Sequence, residues 1–253
     1  MAELRALTFQ PVDLDALGAA KGRIAVFITP DLKLTAGARR LNRLSKGAIA
    51  RATTSDAWDK LPEGKIMSLA WPAGLEANAI DLIKLSRRPS PELARKTGAA
   101  LAVAAKASEI TLLVEGTRHP EEIALGLVLR GYDFDDHKTE KGDPLGAAVL
   151  MCAKPEEAEA ASAPRMAVAE GVNFTRNLVN EPANVLTTTE FATRLEALNA
   201  LGVEVEVLDE KALAKLGMGA LLCVGQGSDS PSKVVIMRWN GGATGDAPLA
   251  LIG

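Results

Sequence analysis

The sequence predicts an α/β fold in two parts, on three observations. Short runs rich in β-branched residues alternate with alanine-rich amphipathic stretches, which separates α/β from all-α architecture. Strand signal then stops at Lys154, an Ala/Glu-rich segment runs to Asn180, and new strand signals follow it. The chain has 253 residues, 47% of them hydrophobic and 24% charged, which are ordinary globular values. At roughly 100–200 residues per domain, that length makes one large domain or two modest ones.

Strands are expected at Arg23–Thr29, Lys65–Ala70, Ala79–Leu85, Glu109–Val114 and Gly146–Cys152. Between them, the clearest helix opens at Ser90-Pro91-Glu92. Ser is a good N-cap there, and Pro at the first helical position gives up an amide that has no partner anyway. Leu93, Thr97, Ala100, Leu101, Ala104 and Ala105 then recur at helical spacing and make a narrow small-residue face. A second helix begins at Pro120-Glu121-Glu122, whose acidic first turn suits the helix dipole, and stops near Gly131. Residues 154–180 form a long linker helix interrupted only by Pro164 and Gly171. Thr187 can cap the next helix, with Glu190 returning the bond and Leu186 packing on Phe191 as a hydrophobic staple. That helix runs to about Leu201 and ends at Gly202. Val203, Val205 and Val207 alternate with Glu204 and Glu206, the period of a half-exposed edge strand. A short helix at Glu210–Leu216 and strands at Lys233–Trp239 and Pro248–Ile252 complete the pattern. The chain stops on that last apolar run without a polar tail, whereas natural termini usually lie exposed, so the sequence is expected to be cut inside its second domain.

The formal net charge of −3, without a basic stripe, argues against nucleic-acid binding. The longest apolar stretch, Gly98–Ala105, falls far short of a membrane span of about 18 residues, and Met1-Ala-Glu-Leu-Arg5 has no signal-peptide core. A cytoplasmic protein is expected. Cys152 and Cys223 lie far apart among apolar neighbours and are expected to be buried free thiols. The glycosylation sequon at Asn173-Phe-Thr175 is then idle.

Few residues suggest chemistry on their own account. Asp133, Asp135, Asp136 and His137 could be taken for a metal cluster, but adjacent ligands on one loop rarely converge on one ion unless glycines shape the loop. A solvated acidic loop is the expectation. His119 simply starts a helix. Gly225-Gln-Gly227-Ser228 lacks the Lys of a Walker loop and the third Gly of a dinucleotide fingerprint, and fits a turn. No Ser or Cys nucleophile is paired with a His and a carboxylate at any known signature. The segment Thr175-Arg-Asn-Leu-Val-Asn-Glu-Pro-Ala-Asn-Val-Leu-Thr187 is different in kind. Pro182 forces a helix to end near Asn180, and Asn180 and Asn184 are placed to hydrogen-bond the turn backbone.

That corner closely resembles the one opening the catalytic domain of the leucyl aminopeptidase (cytosol aminopeptidase) family. The resemblance continues through Gly217-Met-Gly-Ala-Leu-Leu-Cys-Val-Gly-Gln-Gly-Ser-Asp229, Lys233-Val-Val-Ile-Met-Arg-Trp-Asn-Gly-Gly242 and Ala247-Pro-Leu-Ala-Leu-Ile-Gly253, in the family's order. Gly131-Tyr-Asp-Phe-Asp135 also looks like a family segment, whereas the rest of residues 1–120 matches weakly. The resemblance implies a macro-domain-like N-terminal domain (1–153), a linker helix (154–180), and the first part (181–253) of a mixed-sheet di-metal peptidase domain. It implies an aminopeptidase acting on the N-termini of peptides, leucine-type, with two divalent ions (Mn or Zn), assembled as a hexamer. In the family the first metal-binding Lys follows almost immediately on the strand matching Leu249–Gly253. No catalytic, cofactor-binding or metal residue can therefore be carried onto residues 1–253, and no metal is expected in them alone. The competing reading is a non-catalytic macro-like module for binding or assembly. A macro domain proper would hold ADP-ribose on Gly-rich loops at strand ends, and no loop in residues 1–150 has that character.

Overall fold

The computed structural model describes residues 4–243 and 245–253. They divide into two compact units, with the division between Asn177 and Leu178.

The first unit is built on a six-stranded sheet of order β1-β6-β5-β2-β4-β3. Its strands are β1 (Leu7–Gln10), β2 (Arg23–Ile28), β3 (Ile66–Ala70), β4 (Ala79–Lys84), β5 (Ile110–Leu113) and β6 (Ala148–Met151). Five run parallel, and only β3, at one edge, is antiparallel to its neighbour. All five strands expected from sequence here form within a residue or two of their expected limits. Sequence reasoning missed β1, which has four residues and no apolar run of its own.

Central β2 is buried on both faces, as parallel sheets require. Ile24, Val26 and Ile28 face one core, beneath α1 (Ala36–Leu44), α2 (Ala48–Thr53) and α3 (Asp56–Asp59), through Leu41, Ile49 and Trp58. Ala25 and Phe27 face the other, against α4 (Pro91–Ala105) and α5 (Pro120–Arg130). Helices α1 to α3 were not anticipated, because they are short and polar and bury only a few side chains each. The caps of α4 are the expected ones: Ser90 accepts from the Leu93 amide, and Pro91 opens the helix. At the crossing of α4 and α5, a Cβ on Gly98 would stand 1.9 Å from the Ile123 carbonyl oxygen, and one on Gly126 1.9 Å from that of Arg95. The two backbones therefore touch, and Gly98 and Gly126, neither of them on the face expected from sequence, are what let them.

Two polar devices bind the layers. Arg5 is 2% exposed and donates to the carbonyls of Lys106, Ser108 and Gly146, tying the start of β1 to the turns that enter β5 and β6. Asp81, fully buried on β4, accepts from Arg23 at 2.8 and 2.6 Å and from Ser68 at 2.5 Å, so β2, β3 and β4 share one ion pair.

Helix α6 (Pro155–Asn180) runs unbroken through Pro164 and Gly171. Its Ala158, Met166 and Ala169 pack with the first unit. Asn173 is 4% exposed inside this helix, so the sequon cannot be reached by a glycosyl transferase as the chain is folded.

The second unit contains α7 (Thr188–Glu196), a 3-10 turn at Ala197–Leu201, β7 (Glu204–Leu208), α8 (Glu210–Lys215), α9 (Gly219–Gly225) and β8 (Val234–Arg238). β7 and β8 pair antiparallel from Glu204 opposite Arg238 to Leu208 opposite Val234. Three expectations fail here. Pro248–Ile252 is not a strand: Leu249, Leu251 and Ile252 are 87%, 88% and 97% exposed, and no described strand lies beside them to complete a ladder. Cys223 is exposed rather than buried, because α9 buries none of its residues, while Cys152 is buried as expected and its thiol is pushed up by that burial. The capping box is half made. Thr187 accepts from the Glu190 amide, but the Glu190 carboxylate bonds Arg194 and the Thr187 amide donates to the Val185 carbonyl.

Candidate functional site

The residues singled out by sequence lie in two places, the corner that leads into α7 and the acidic loop after α5. At the corner, Pro182 ends α6 and its carbonyl accepts from the amides of Val185 and Leu186, both at 2.9 Å, which turns the chain towards α7. Of the two asparagines expected to hold the turn, Asn184 does not. Asn180 and Asn184 are both exposed, and Asn184 makes no side-chain hydrogen bond among the described residues. Arg194 ties the corner to α7, donating from Nε to Glu190 at 2.8 Å and from Nη1 to Glu181 at 2.9 Å. The Glu181 side chain is only 7% exposed, and the bonds from Glu190 and Glu181 push the Arg194 pKa above its already high ordinary value. An arginine held this way is a permanent cation stapling α7 to the corner, and it has no proton to offer to catalysis.

Beyond the corner, the Thr188 hydroxyl donates to the Pro231 carbonyl at 2.7 Å, and the Ser232 amide donates to Glu210 at 2.9 Å, so the segment before β8 is bound to both α7 and α8. A cavity of about 180 Å³ opens between Gly202, Glu204, Arg238 and Trp239. Its lining holds one carboxylate, Glu204, and one guanidinium, Arg238, with no Ser, Thr, Cys, His or Lys side chain. The turn expected at Gly225–Ser228 is present, closed by the Ser228 amide on the Gly225 carbonyl.

In the acidic loop, Asp133, Asp135, Asp136 and His137 are spread rather than convergent. Asp133 faces Lys138 Nζ at 3.5 Å, Asp135 accepts from the Gly142 amide at 3.1 Å, and the His137 ring lies 5.7 Å from that of Phe134. Among the described residues no group of three His, Cys, Asp or Glu side chains is placed to hold a metal ion. No described helix is long and apolar enough to cross a membrane. His119 takes a left-handed backbone at the start of α5 and meets Glu121 at 3.1 Å.

Comparison with known proteins locates the resemblance. The catalytic-domain model of the cytosol aminopeptidase family matches residues 173–253. A probable cytosol aminopeptidase of Dinoroseobacter shibae is 53% identical over 253 residues, covering 100% of this chain and 52% of that protein. Another, from Cereibacter sphaeroides, is 46% identical over 98% of this chain and 50% of its own length. Among solved structures, a tomato leucine aminopeptidase mutant superposes with a TM-score of 0.74 at 20% identity, over 92% of this chain and 50% of its own. The bottromycin maturation enzyme BotP in complex with Mn does so with a TM-score of 0.64 at 23% identity, over 86% and 45%. These two likenesses bear on the fold alone. The chain spans about half the length of the relatives it matches. Over that span, the chain is similar to the cytosol aminopeptidase family, whose catalytic-domain model matches residues 173–253.

Proposed function

We propose that these residues serve within a metal-dependent aminopeptidase that releases N-terminal residues, leucine among them, from peptides. The observation that carries this reading is the catalytic-domain match over residues 173–253, supported by 53% identity along the whole chain to a probable cytosol aminopeptidase. Two divalent ions, manganese or zinc, supply the activated water and polarise the scissile carbonyl when bound. The described residues do not fit such a centre, because no set of donors converges among them. The part this chain plays is to hold the corner: Arg194, Glu181 and Glu190 fix the entry of α7, and Thr188 with Ser232 fixes the approach to β8. The family resemblance supports a hexamer, and the relatives' name supports a cytoplasmic location.

The test compares the 253-residue chain with one extended to the full length of its relatives. Both are assayed on a leucine anilide and on a Leu-initiated dipeptide, with metal analysis of each. The longer chain is expected to bind two ions, to hydrolyse both substrates, to lose activity to a chelator and to regain it with manganese or zinc. The shorter chain is expected to do none of these. An inactive, metal-free longer chain would overturn the aminopeptidase reading. Turnover by the shorter chain would place the chemistry among residues 1–253.

A further inference from the structure

β2 and β4 lie side by side and parallel, yet the chain leaves them on opposite faces of the sheet. The helices after β2 cover Ile24, Val26 and Ile28, and α4, after β4, covers Ala25, Phe27 and Ile83. Where the following helices diverge in this way, a crevice opens outside the carboxyl ends of the two strands, and open α/β sheets bind their ligands there. In this chain the crevice is a cavity of about 310 Å³, walled by Thr29, Pro30, Asp31 and Lys33 on one side and Ser86 and Arg87 on the other. That is within the size range of small-molecule sites.

The first wall is locked in shape. The Leu32 amide closes a turn on the Thr29 carbonyl at 2.8 Å, and the Thr29 hydroxyl bonds Asp31 at 2.5 Å. Leu32 is held at φ 58°, a left-handed conformation that a leucine rarely adopts and that concentrates at ligand-binding loops. A third loop joins the crevice from β5, where the Arg118 amide donates to the Arg87 carbonyl at 3.1 Å.

Charge supplies the second argument. Each carboxylate around the crevice is already engaged: Asp31 with Thr29 and Lys33, Glu63 with the Ser86 amide at 2.6 Å, and Glu115 with the Gly37 amide at 2.8 Å. The Thr29 and Lys33 bonds hold the Asp31 carboxyl down at about 2, so it stays ionised and committed at neutral pH. The guanidinium groups of Arg87, Arg88 and Arg118 make no hydrogen bond or ion pair among the described residues. Arg87 lines the cavity and Arg118 stands on the loop bonded to it, and two uncommitted forks beside polar and small apolar walls match a dianion better than a monoanion. Arginine pairs bidentately with phosphate oxygens.

We propose that this crevice binds a small phosphate ester, its phosphate held by Arg87 and Arg118 and its organic part lying between Thr29 and Ser86. The site belongs to the first unit and does not depend on the aminopeptidase reading. It is made of arginine side chains on ordered loops, a pattern that glycine-rich phosphate motifs in the sequence would not disclose.

The test is a titration of the isotope-labelled 253-residue chain, followed by its backbone amide resonances. Ribose 5-phosphate, inorganic phosphate and ribose are compared with sodium chloride at matched ionic strength. Ribose 5-phosphate is expected to shift residues 29–33, 86–88 and 116–118 saturably. Inorganic phosphate should act on the same residues more weakly, and ribose and chloride should leave them in place. An Arg87→Gln, Arg118→Gln double variant should bind about tenfold or more weakly, with its remaining amide spectrum unchanged because both residues are exposed. Equal binding of inorganic phosphate and the ester would reduce the site to an anion patch and overturn the proposal. So would shifts scattered over the surface, undiminished binding by the double variant, or preferential binding of a single-stranded oligonucleotide.

Discussion

Glu122 sits beneath two guanidinium groups, accepting from Arg95 at 2.9 and 2.7 Å and from Arg165 at 3.1 Å. Burial by itself raises its pKa, but the bonds from Arg95 and Arg165 together outweigh burial and hold the carboxyl below the ordinary glutamate value. A depressed folded pKa contributes stability that is present above the unfolded value of about 4.3 and is lost as pH falls through the folded one. Glu122→Gln should therefore lower stability at pH 7 by about 1–3 kcal/mol, towards the low end because both arginines are partly solvated. It should also flatten the decline below about pH 4.3. Urea unfolding of both proteins from pH 3 to 7 checks this; parallel curves would show that Glu122 does not titrate with folding. At the corner, the assignment of the turn to Arg194 has its own consequence. Arg194→Met leaves the nearly buried Glu181 short of its charged partner and should cost about 2–3 kcal/mol. Asn184→Ala, at an exposed position, should fall within about 0.5 kcal/mol of the parent. A larger loss for Asn184→Ala than for Arg194→Met would restore the asparagine-held corner.

At the scale of elements, the same substitution has opposite signs in two helices. Replacing a mid-helix glycine with alanine gains about 1 kcal/mol of helix propensity. At Gly98 the added methyl meets the Ile123 carbonyl at 1.9 Å, so α4 and α5 must separate. Overpacking of that kind costs about 1–3 kcal/mol or more, and it wins. At Gly171, exposed on α6, nothing lies within 4 Å of the new Cβ, so the propensity gain survives. Gly98→Ala is thus expected to lower the Tm by several degrees and Gly171→Ala to raise it slightly. Thermal scans showing both variants moving in the same direction would contradict the packing argument.

For the molecule as a whole, the two units differ in how much they bury. The first encloses both faces of its sheet. The second buries Ala192, Leu195 and Leu213, while Leu216, Val224, Met237 and Trp239 remain 63%, 89%, 50% and 69% exposed. A two-stranded sheet is marginal without further packing, which makes the bonds from Thr188, Glu210 and Arg194 the main local restraints there. Helix α6 (Pro155–Asn180) buries Ala158 and Ala169 within the first unit, so its first four turns are held against that unit. The exposed loop at 133–143 has neither helix nor strand to protect it. Brief trypsin treatment should cut first after Lys138 or Lys141, leaving α6 intact in the C-terminal fragment. Early cleavage at Arg165 would mean that α6 leaves the sheet in solution.

The strands and the capped helices α4, α5 and α7 were legible in the sequence because their signals are local: apolar runs, Ser90 with Pro91, Pro120, and Thr187 three residues before Glu190. The family corner at 175–187 was equally legible. The helices α1 to α3 and the strand β1 were not, because each is held by what it packs against rather than by its own pattern. The same reason explains the errors. Apolar runs at Gly219–Gly225 and Pro248–Ile252 signal burial only where another surface covers them, and the described residues leave Cys223, Val224, Leu249, Leu251 and Ile252 exposed. Only the tertiary structure could decide that Arg194 rather than Asn184 holds the corner. It alone could also reveal that Arg87 and Arg118, 31 positions apart in the sequence, stand on adjoining loops at the end of one crevice. Hydrogen-bond partners and charge balance across loops depend on strand order, and strand order is set by which faces the helices cover, a long-range outcome that no short window of residues contains.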